Sequence, residues 1–136
     1  MPKIKEPTKW DDLDVFTAKG VRIRDTYVTI QANSAIIFNA GFCHRAAIGD
    51  KSHVIVAYSR QNKSIVFQFT SDDKARGALK LIQRSGCANV GSRSFFNYYD
   101  LDPKALEGRY IPVKGKIPKI GDAWIINLDN KLPVHD

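Results

Sequence analysis

Hydrophobic and polar positions alternate most regularly in the middle of the chain. Residues 52–58 (SHVIVAY) and 64–69 (SIVFQF) are short runs rich in β-branched and aromatic side chains, and Phe67 and Gln68 fall on opposite sides of an extended chain. A period of two residues is typical of half-buried strands. The polar residues 59–63 (SRQNK) have the length and composition of a hairpin loop. We therefore predict an antiparallel hairpin here.

Further strands and a helix are predicted before this hairpin. Residues 20–33 (GVRIRDTYVTIQAN) are rich in β-branched side chains and predict one or two strands, and residues 34–38 (SAIIF) predict another. In residues 39–48 (NAGFCHRAAI) the apolar positions change to helical spacing. Asn39 suits the N-cap of this helix, and Gly49 is placed to end it.

The order strand, strand, short helix, strand, strand recurs in the second half of the chain. An offset of 53 residues places Asn39 on Ser92, Phe42 on Phe95 and Ile48 on Leu101. The last strand pair is predicted at residues 108–114 (GRYIPVK) and 122–128 (DAWIINL), around the Lys-rich loop 115–121 (GKIPKIG). Pro112 favours an edge position for its strand. Few residues are identical between the halves, so the repeat rests on pattern.

These elements predict an α+β fold that is mainly β. We expect a lead-in at residues 1–20, a single domain at residues 21–128 and a tail at residues 129–136. The domain consists of two pseudo-repeats, at about residues 21–70 and 78–128.

Composition agrees with one globular domain. The 136 residues are 43% hydrophobic and 26% charged, which is enough for a real core. No apolar run reaches the roughly 18 residues that a membrane span needs, and the first residues lack the apolar centre of a signal peptide. We therefore expect a soluble, cytoplasmic protein without a membrane partner. Cys43 and Cys87 stand alone in the sequence and are predicted to be buried and reduced.

The charge balance favours an anionic partner. Lys and Arg number 21 against 14 Asp and Glu, which gives a net charge of +7 and the positive field typical of nucleic-acid-binding proteins. Arg22 and Arg24 alternate along a predicted strand and share one face of it. The candidate nucleic-acid-binding residues are Lys19, Arg22, Arg24, Arg60, Lys63, Arg93, Lys114, Lys116 and Lys119. The alternative is that the positive charge only keeps a small protein soluble.

Aromatic residues follow one of these basic positions. Phe96, Tyr98 and Tyr99 come shortly after Arg93, and single-strand binders interleave aromatics with cations in this way. The alternative is that Phe95 and at least one tyrosine fill the core beneath the second helix.

Enzymatic chemistry has little support in the sequence. Cys43 and His44 are adjacent, so on a helix they point about 100° apart and are poorly placed as nucleophile and base. The acidic pair Asp72 and Asp73 lies in a polar connector that suits a helical turn or an exposed loop. No phosphate-binding or nucleophile motif is present. We expect a non-enzymatic protein without cofactor or metal.

Each half of the chain resembles the swapped-hairpin unit of the AbrB-type and MraZ-type DNA-binding proteins, most clearly over residues 28–69. An apolar strand (AIIF) leads into a helix with Phe42 and Arg45, and Ile48 is followed by Gly-Asp. Asn39 stands where that family commonly has Pro. The resemblance implies two interlocked ββαββ units that close one compact β-barrel, and DNA as the ligand.

Over nearly its whole length the chain is similar to a group of small uncharacterised bacterial proteins. The shared features are a lead with Trp10, the segment YVTIQ at residues 27–31, an N-x-A helix start at Asn39, Tyr58 before a hairpin, and a closing strand at residues 124–128. This similarity implies a fold more than a function.

Three hypotheses follow. The first is a small transcriptional regulator that binds double-stranded DNA, with DNA favoured over RNA. It would use Arg22, Arg24 and two basic hairpin tips, one with Arg60 and Lys63 and the other with Lys114, Lys116 and Lys119. The second is a protein-interaction module with an acidic partner. The third is a Whirly-like single-stranded DNA binder. Because an internal repeat can replace a dimer partner, both a monomer and a homodimer stay open.

Overall fold

The computed structural model describes residues 26–133. Lys19, Arg22, Arg24 and the lead-in at residues 1–20 lie outside the described residues, as does the end of the tail. The described elements are β1 (Val28–Ile30), β2 (Ala35–Phe38), α1 (Ala40–Ala46), β3 (His53–Ser59), β4 (Ser64–Thr70), β5 (Ala78–Lys80), β6 (Ile82–Arg84), β7 (Cys87–Gly91), α2 (Arg93–Tyr98), α3 (Pro103–Leu106), β8 (Gly108–Tyr110), β9 (Val113–Ile117) and β10 (Gly121–Asn127).

The strands form two five-stranded antiparallel sheets. Sheet I has the order β6-β7-β2-β1-β8, and sheet II has the order β5-β3-β4-β10-β9. With 44% of the described residues in strands and 16% in helices, the predicted mainly β fold is confirmed. The predicted hairpin in the middle of the chain is also confirmed, as the pair β3 and β4.

The two sheets share one hydrophobic core. In sheet I the buried face carries Ile36 and Phe38, and in sheet II it carries Ile65 and Phe67. The Phe38 and Phe67 rings meet edge to face with 5.1 Å between their centroids. Edge-to-face packing of this kind adds to the stabilisation that burial provides.

Helix α1 begins as the sequence predicts but ends earlier. The Oδ1 atom of Asn39 accepts hydrogen bonds from the backbone N–H groups of Phe42 at 2.9 Å and Tyr27 at 3.1 Å, so the cap also ties the helix to the chain before β1. The helix ends at Ala46, and Ala47 has the left-handed conformation. The prediction that Gly49 ends the helix is therefore wrong, because Ala47 takes the turn that glycine usually takes.

The predicted closed barrel is wrong for residues 26–133. Their strands form two separate sheets, and no strand pairing joins one sheet to the other. The strands β6 and β8 end sheet I, and β5 and β9 end sheet II. Closure would require continuous pairing around the structure.

The predicted strand at residues 108–114 is divided in two. Strand β8 ends at Tyr110 and pairs with β1, whereas β9 begins at Val113 and pairs with β10. Pro112 lies at the break and has no N–H to continue a ladder. Strand β9 also runs through Ile117, so the predicted loop at residues 115–121 is shorter, with its turn at residues 118–120.

Candidate nucleic-acid interface

Arg60 and Lys63 lie in the turn between β3 and β4, and both are exposed. The backbone N–H of Lys63 donates to the carbonyl of Arg60 at 3.3 Å, and Lys63 has a φ of 50°. The carbonyl of Lys63 accepts a hydrogen bond of 2.8 Å from the N–H of Leu128. This tip therefore lies beside the end of β10.

The other predicted basic tip is the hairpin of β9 and β10. Lys114 and Lys116 lie on β9, and Lys119 lies in the turn after Pro118. All three lysines are exposed. Lys119 has a φ of 73°, and the turn is closed by a hydrogen bond from the N–H of Ile120 to the carbonyl of Ile117. Both predicted tips thus contain a lysine in the left-handed region.

The two tips lie at opposite ends of sheet II. Strand β10 is antiparallel to β4 and Asn127 pairs with Ser64, so the Arg60 tip is next to the end of β10. The other end of β4 contacts the second tip, where the side-chain amide of Gln68 donates to the carbonyl of Ile120 at 2.7 Å. The seven residues of β4 separate the tips by about 20 Å. The structure does not bring the two tips into one basic patch.

The lysines of β9 share a sheet face with an acid and an aromatic residue. Lys116 is directly opposite Asp122 on β10, and its Nζ is 3.7 Å from the carboxylate. Lys114 is opposite Trp124, whose ring packs edge to face on Phe42 of α1. Lys51 lines the same shallow groove as Lys114. Lys51 is itself 3.9 Å from the carboxylate of Asp50, so two carboxylates offset part of this positive surface and Lys114 has none in ion-pair distance within residues 26–133.

The second helix presents a different kind of surface. Arg93, Ser94, Asn97 and Tyr98 are exposed, whereas Phe95 and Phe96 are buried, so Phe96 offers no ring face for stacking. The alternative prediction for this region is thus confirmed for Phe95, and Tyr99 also packs against the core. Tyr98 instead keeps 80% of its surface exposed. It is an unusually exposed aromatic side chain for a residue next to the core.

A groove, which we call the α2 groove, lies beside Tyr98. It is open, has a volume of about 290 Å³ and runs between α2 and the end strand β5. Its lining consists of Val56, Gly77, Leu79, Ser94, Phe95, Tyr98 and Tyr99. Arg76 and Lys80 are exposed and adjoin the lining residues Gly77 and Leu79 in sequence. Because side chains alternate along β5, Leu79 faces the groove and Lys80 faces the other side of sheet II. An apolar floor with an exposed ring suits a flat ligand.

Sequence reasoning identified only part of the α2 groove. Among the lining residues Tyr98 was predicted, but Gly77 and Leu79 were not. They lie in the connector and in β5, whose place beside α2 depends on pairing with β3. Neither residue carries a local signal of a binding site, because a glycine in a connector and a leucine in a strand are common in any protein.

The two cysteines are free, and their environments differ. Cys43 is buried and Cys87 is half-buried, so the prediction of burial is confirmed only for Cys43. Burial raises the pKa of the Cys43 thiol to about 12, and the Sγ atom donates to the carbonyl of Phe38 at 3.4 Å. A protonated, enclosed thiol is a poor nucleophile.

Among residues 26–133, no three His, Cys, Asp or Glu side chains group as metal ligands would. No helix of the described chain has the length and apolar character needed to cross a membrane.

Comparisons with known proteins find no similar protein. No protein-family model matches the chain, and neither the curated proteins nor the solved structures contain a match. The resemblance to AbrB-type and MraZ-type proteins and to the small bacterial group stays a prediction.

Proposed function

We propose that the protein binds single-stranded nucleic acid, with DNA as the first candidate, through the α2 groove and the exposed face of α2. The single observation that carries the proposal is Tyr98, which is 80% exposed beside the apolar groove. Stacking of a base on an aromatic ring is worth about 1–3 kcal/mol. It requires an accessible ring face, which Tyr98 offers.

Charge supports the same surface. Arg93 begins α2, Arg76 adjoins the lining residue Gly77 in sequence, and both arginines are exposed. Cations beside a stacking platform hold the phosphates while the base occupies the groove. Neither kind of contact reads sequence strongly, so we expect salt-dependent binding with little sequence preference.

A single strand fits this surface better than a duplex does. In a duplex the base faces are stacked and hidden, so Tyr98 would have no partner unless the helix opened. Duplex binding was predicted to use both hairpin tips, and they lie at opposite ends of β4. A regulator that contacts duplex DNA through Arg60, Lys63 and Lys119 stays the second candidate, because these side chains are exposed.

We also infer that the two halves are repeats of one swapped-hairpin unit. The hairpins β1–β2 and β6–β7 meet in sheet I through β2 and β7, and the hairpins β3–β4 and β9–β10 meet in sheet II through β4 and β10. Each half thus gives one hairpin to each sheet. The N-caps Asn39 and Ser92 are 53 residues apart, as the sequence pattern requires.

The strands support the repeat with a different offset. At an offset of 53 the buried Ile36 falls on the half-buried Asn89, which faces the opposite side of the sheet. Because successive side chains point to opposite faces of a strand, only an even offset matches the buried residues of β2 with the buried residues of β7. An offset of 54 places Ile36 on the buried Val90. The helices and the strands of the two halves are therefore related by offsets that differ by one residue.

The function is tested by fluorescence anisotropy with random single-stranded and duplex DNA, and with single-stranded RNA, at about 50 and 200 mM salt. We expect the single strands to bind more tightly, and affinity to fall with salt. Tyr98→Ala should weaken single-strand binding, whereas Ile82→Ala, an exposed apolar change on sheet I, should not. Tighter binding to the duplex, with loss on Lys63→Ala and Lys119→Ala, would instead favour the regulator.

A further inference from the structure

The longest end strand of the described sheets is β9. It has five residues, whereas β5, β6 and β8 have three each. At every second residue an end strand directs its N–H and C=O groups away from the sheet. The edge of β8 is engaged in part, because the carbonyl of Arg109 accepts a hydrogen bond from the N–H of Leu132. Strand β9 therefore offers the best template for an added strand.

The two faces of β9 differ in chemistry. Lys114 and Lys116 project to one face, and Val113, Gly115 and Ile117 lie on the other. Val113 keeps 60% of its surface exposed. Gly115 has no side chain, and Cδ1 of Ile125 fills the place, 2.9 Å from where a Cβ would stand. An added strand would meet lysines on one face and an apolar strip of Val113, Ile125 and Ile117 on the other.

The lysine face has room for more carboxylates. Asp122 pairs with Lys116 across the ladder at 3.7 Å, which shows how a carboxylate directly opposite a β9 lysine is held. Within residues 26–133 no carboxylate is in ion-pair distance of Lys114. Lys51 lines the groove with Lys114 but is 3.9 Å from the carboxylate of Asp50, so Lys114 is the cation of this face that is left for a ligand carboxylate.

We propose that the outer edge of β9 binds an extended segment of another protein in which acidic residues alternate with apolar ones, as a sixth strand of sheet II. The acidic side chains would face Lys114 and Lys116, and the apolar side chains would cover Val113 and Ile117. Main-chain hydrogen bonds supply the affinity in this mode of recognition, and the alternating side chains supply the specificity.

Charge also decides against a second copy of this chain at the same edge. Two antiparallel β9 strands would place the lysines of one near the lysines of the other, and like charges opposite each other destabilise a strand pair. Lysines on an end strand commonly prevent such self-pairing. The same lysines attract an acidic strand, so they both oppose pairing with a second β9 and favour an acidic partner.

The test uses a synthetic eight-residue peptide of alternating Glu and Val, labelled with a fluorophore, and the full chain. Three control peptides have the same composition in scrambled order, Lys in place of Glu, or N-methyl groups on alternate amides. We expect binding of the alternating acidic peptide, loss of binding on N-methylation of the bonding edge, and slower amide exchange in residues 113–117 on binding. Equal binding of the scrambled or N-methylated peptide would overturn the proposal, since charge alone would then explain it.

Variants separate this edge from the other surfaces. Lys114→Glu with Lys116→Glu should lower the affinity for the acidic peptide about tenfold or more. The same double change should raise the affinity for the control peptide that has Lys in place of Glu. The matched control Lys63→Glu changes an exposed lysine at the opposite end of sheet II and should leave the peptide affinity unchanged. If Lys114→Glu with Lys116→Glu instead abolishes nucleic-acid binding while the peptide affinity is unchanged, the lysines serve nucleic acid and the proposal fails.

Self-association is the remaining outcome. A dimer in sedimentation that is lost on Val113→Lys would assign the edge to a second copy and overturn the proposal. The proposal does not rest on the α2 groove, so Tyr98→Ala should leave peptide binding unchanged. The experiments can therefore refute the nucleic-acid proposal without refuting the peptide proposal, and the reverse.

Discussion

The ring of Tyr98 meets the ring of Tyr99 edge to face, with 4.8 Å between their centroids and 85° between their planes. Tyr99 in turn lies 5.2 Å from Phe95 and 5.3 Å from Tyr58. An exposed ring thus rests on aromatic residues that pack against the core. A ring held in this way loses little side-chain freedom when a ligand stacks on it, so more of the contact energy appears as affinity.

The two tyrosines should separate binding from stability. Tyr98→Ala should weaken the binding of single-stranded nucleic acid by about 1–3 kcal/mol, which is roughly fivefold to 150-fold in affinity. Because Tyr98 is 80% exposed, the same change should alter the free energy of unfolding by less than about 0.5 kcal/mol. Tyr99→Ala should lower that free energy by about 1–3 kcal/mol, since the ring packs against the core.

The measurements are anisotropy titrations and urea denaturation of each variant. Tyr98→Phe is the matched control, because it keeps the ring and removes only the hydroxyl, and it should bind like the wild type. A binding defect in Tyr98→Phe as large as that of Tyr98→Ala would show that a hydrogen bond, and not stacking, is the contact.

Arg93→Ala should lower the salt dependence of single-strand binding. Each phosphate contact that is lost reduces the slope of log affinity against log salt by about 0.7 for a single strand. Arg84→Ala is the control, since Arg84 is also exposed but lies on the end strand β6 of sheet I. Titrations at four salt concentrations give both slopes. An unchanged slope for Arg93→Ala would place the phosphate path elsewhere.

Local sequence patterns predicted the local elements well. The alternation in β3 and β4 and the capping role of Asn39 both follow from residues close together in the chain. The break before β9 was not predicted, although its cause is also local, because Pro112 cannot donate to a ladder. Helix α3, with Asp102 at its N-cap and Pro103 in its first turn, was missed although its start carries a standard signal.

The candidate site depends on long-range pairing, which the pattern did not reveal. The first hypothesis uses both basic hairpin tips to bind one DNA duplex. Antiparallel pairing of β4 with β10 instead places Lys63 and Lys119 at opposite ends. The α2 groove likewise exists because β5 pairs with β3 and comes to lie beside α2. Neither pairing is encoded by residues that are neighbours in sequence.

Glycine at the left-handed tip positions should stabilise the protein. Lys63 has a φ of 50° and Lys119 a φ of 73°, a region that costs a residue with a Cβ roughly 1 kcal/mol. Lys63→Gly and Lys119→Gly should each raise the free energy of unfolding by about 0.5 kcal/mol, after the entropy that glycine adds to the unfolded chain. Urea denaturation measures the change.

The control for these turns is Lys114→Gly, which changes an exposed lysine in extended β9. It should destabilise, since glycine weakens a strand interior. If Lys63→Gly and Lys119→Gly stabilise the fold and leave single-strand binding intact, the tips are not part of the interface. Loss of binding in both, with stability raised, would restore the tips as phosphate contacts.

Alkaline pH should destabilise the fold through Cys43. Burial raises the pKa of this thiol from 9.0 to about 12. Between these values the unfolded chain loses the thiol proton and the folded chain keeps it, so the free energy of unfolding falls as pH rises from about 9 toward 12. At pH 10 the Cys43 contribution is a loss of roughly 1 kcal/mol. Urea denaturation at about pH 8 and pH 10 gives the change.

Cys43→Ala should lose less stability than the wild type over the same pH interval, because the titrating thiol is gone. Burial also raises the pKa of Tyr110, so part of the alkaline loss should remain in the variant. Alkylation at about pH 8 gives an independent check, since the half-buried Cys87 should be modified well before Cys43. Equal rates at the two cysteines, or equal pH dependence in the wild type and Cys43→Ala, would contradict a thiol held protonated in the core.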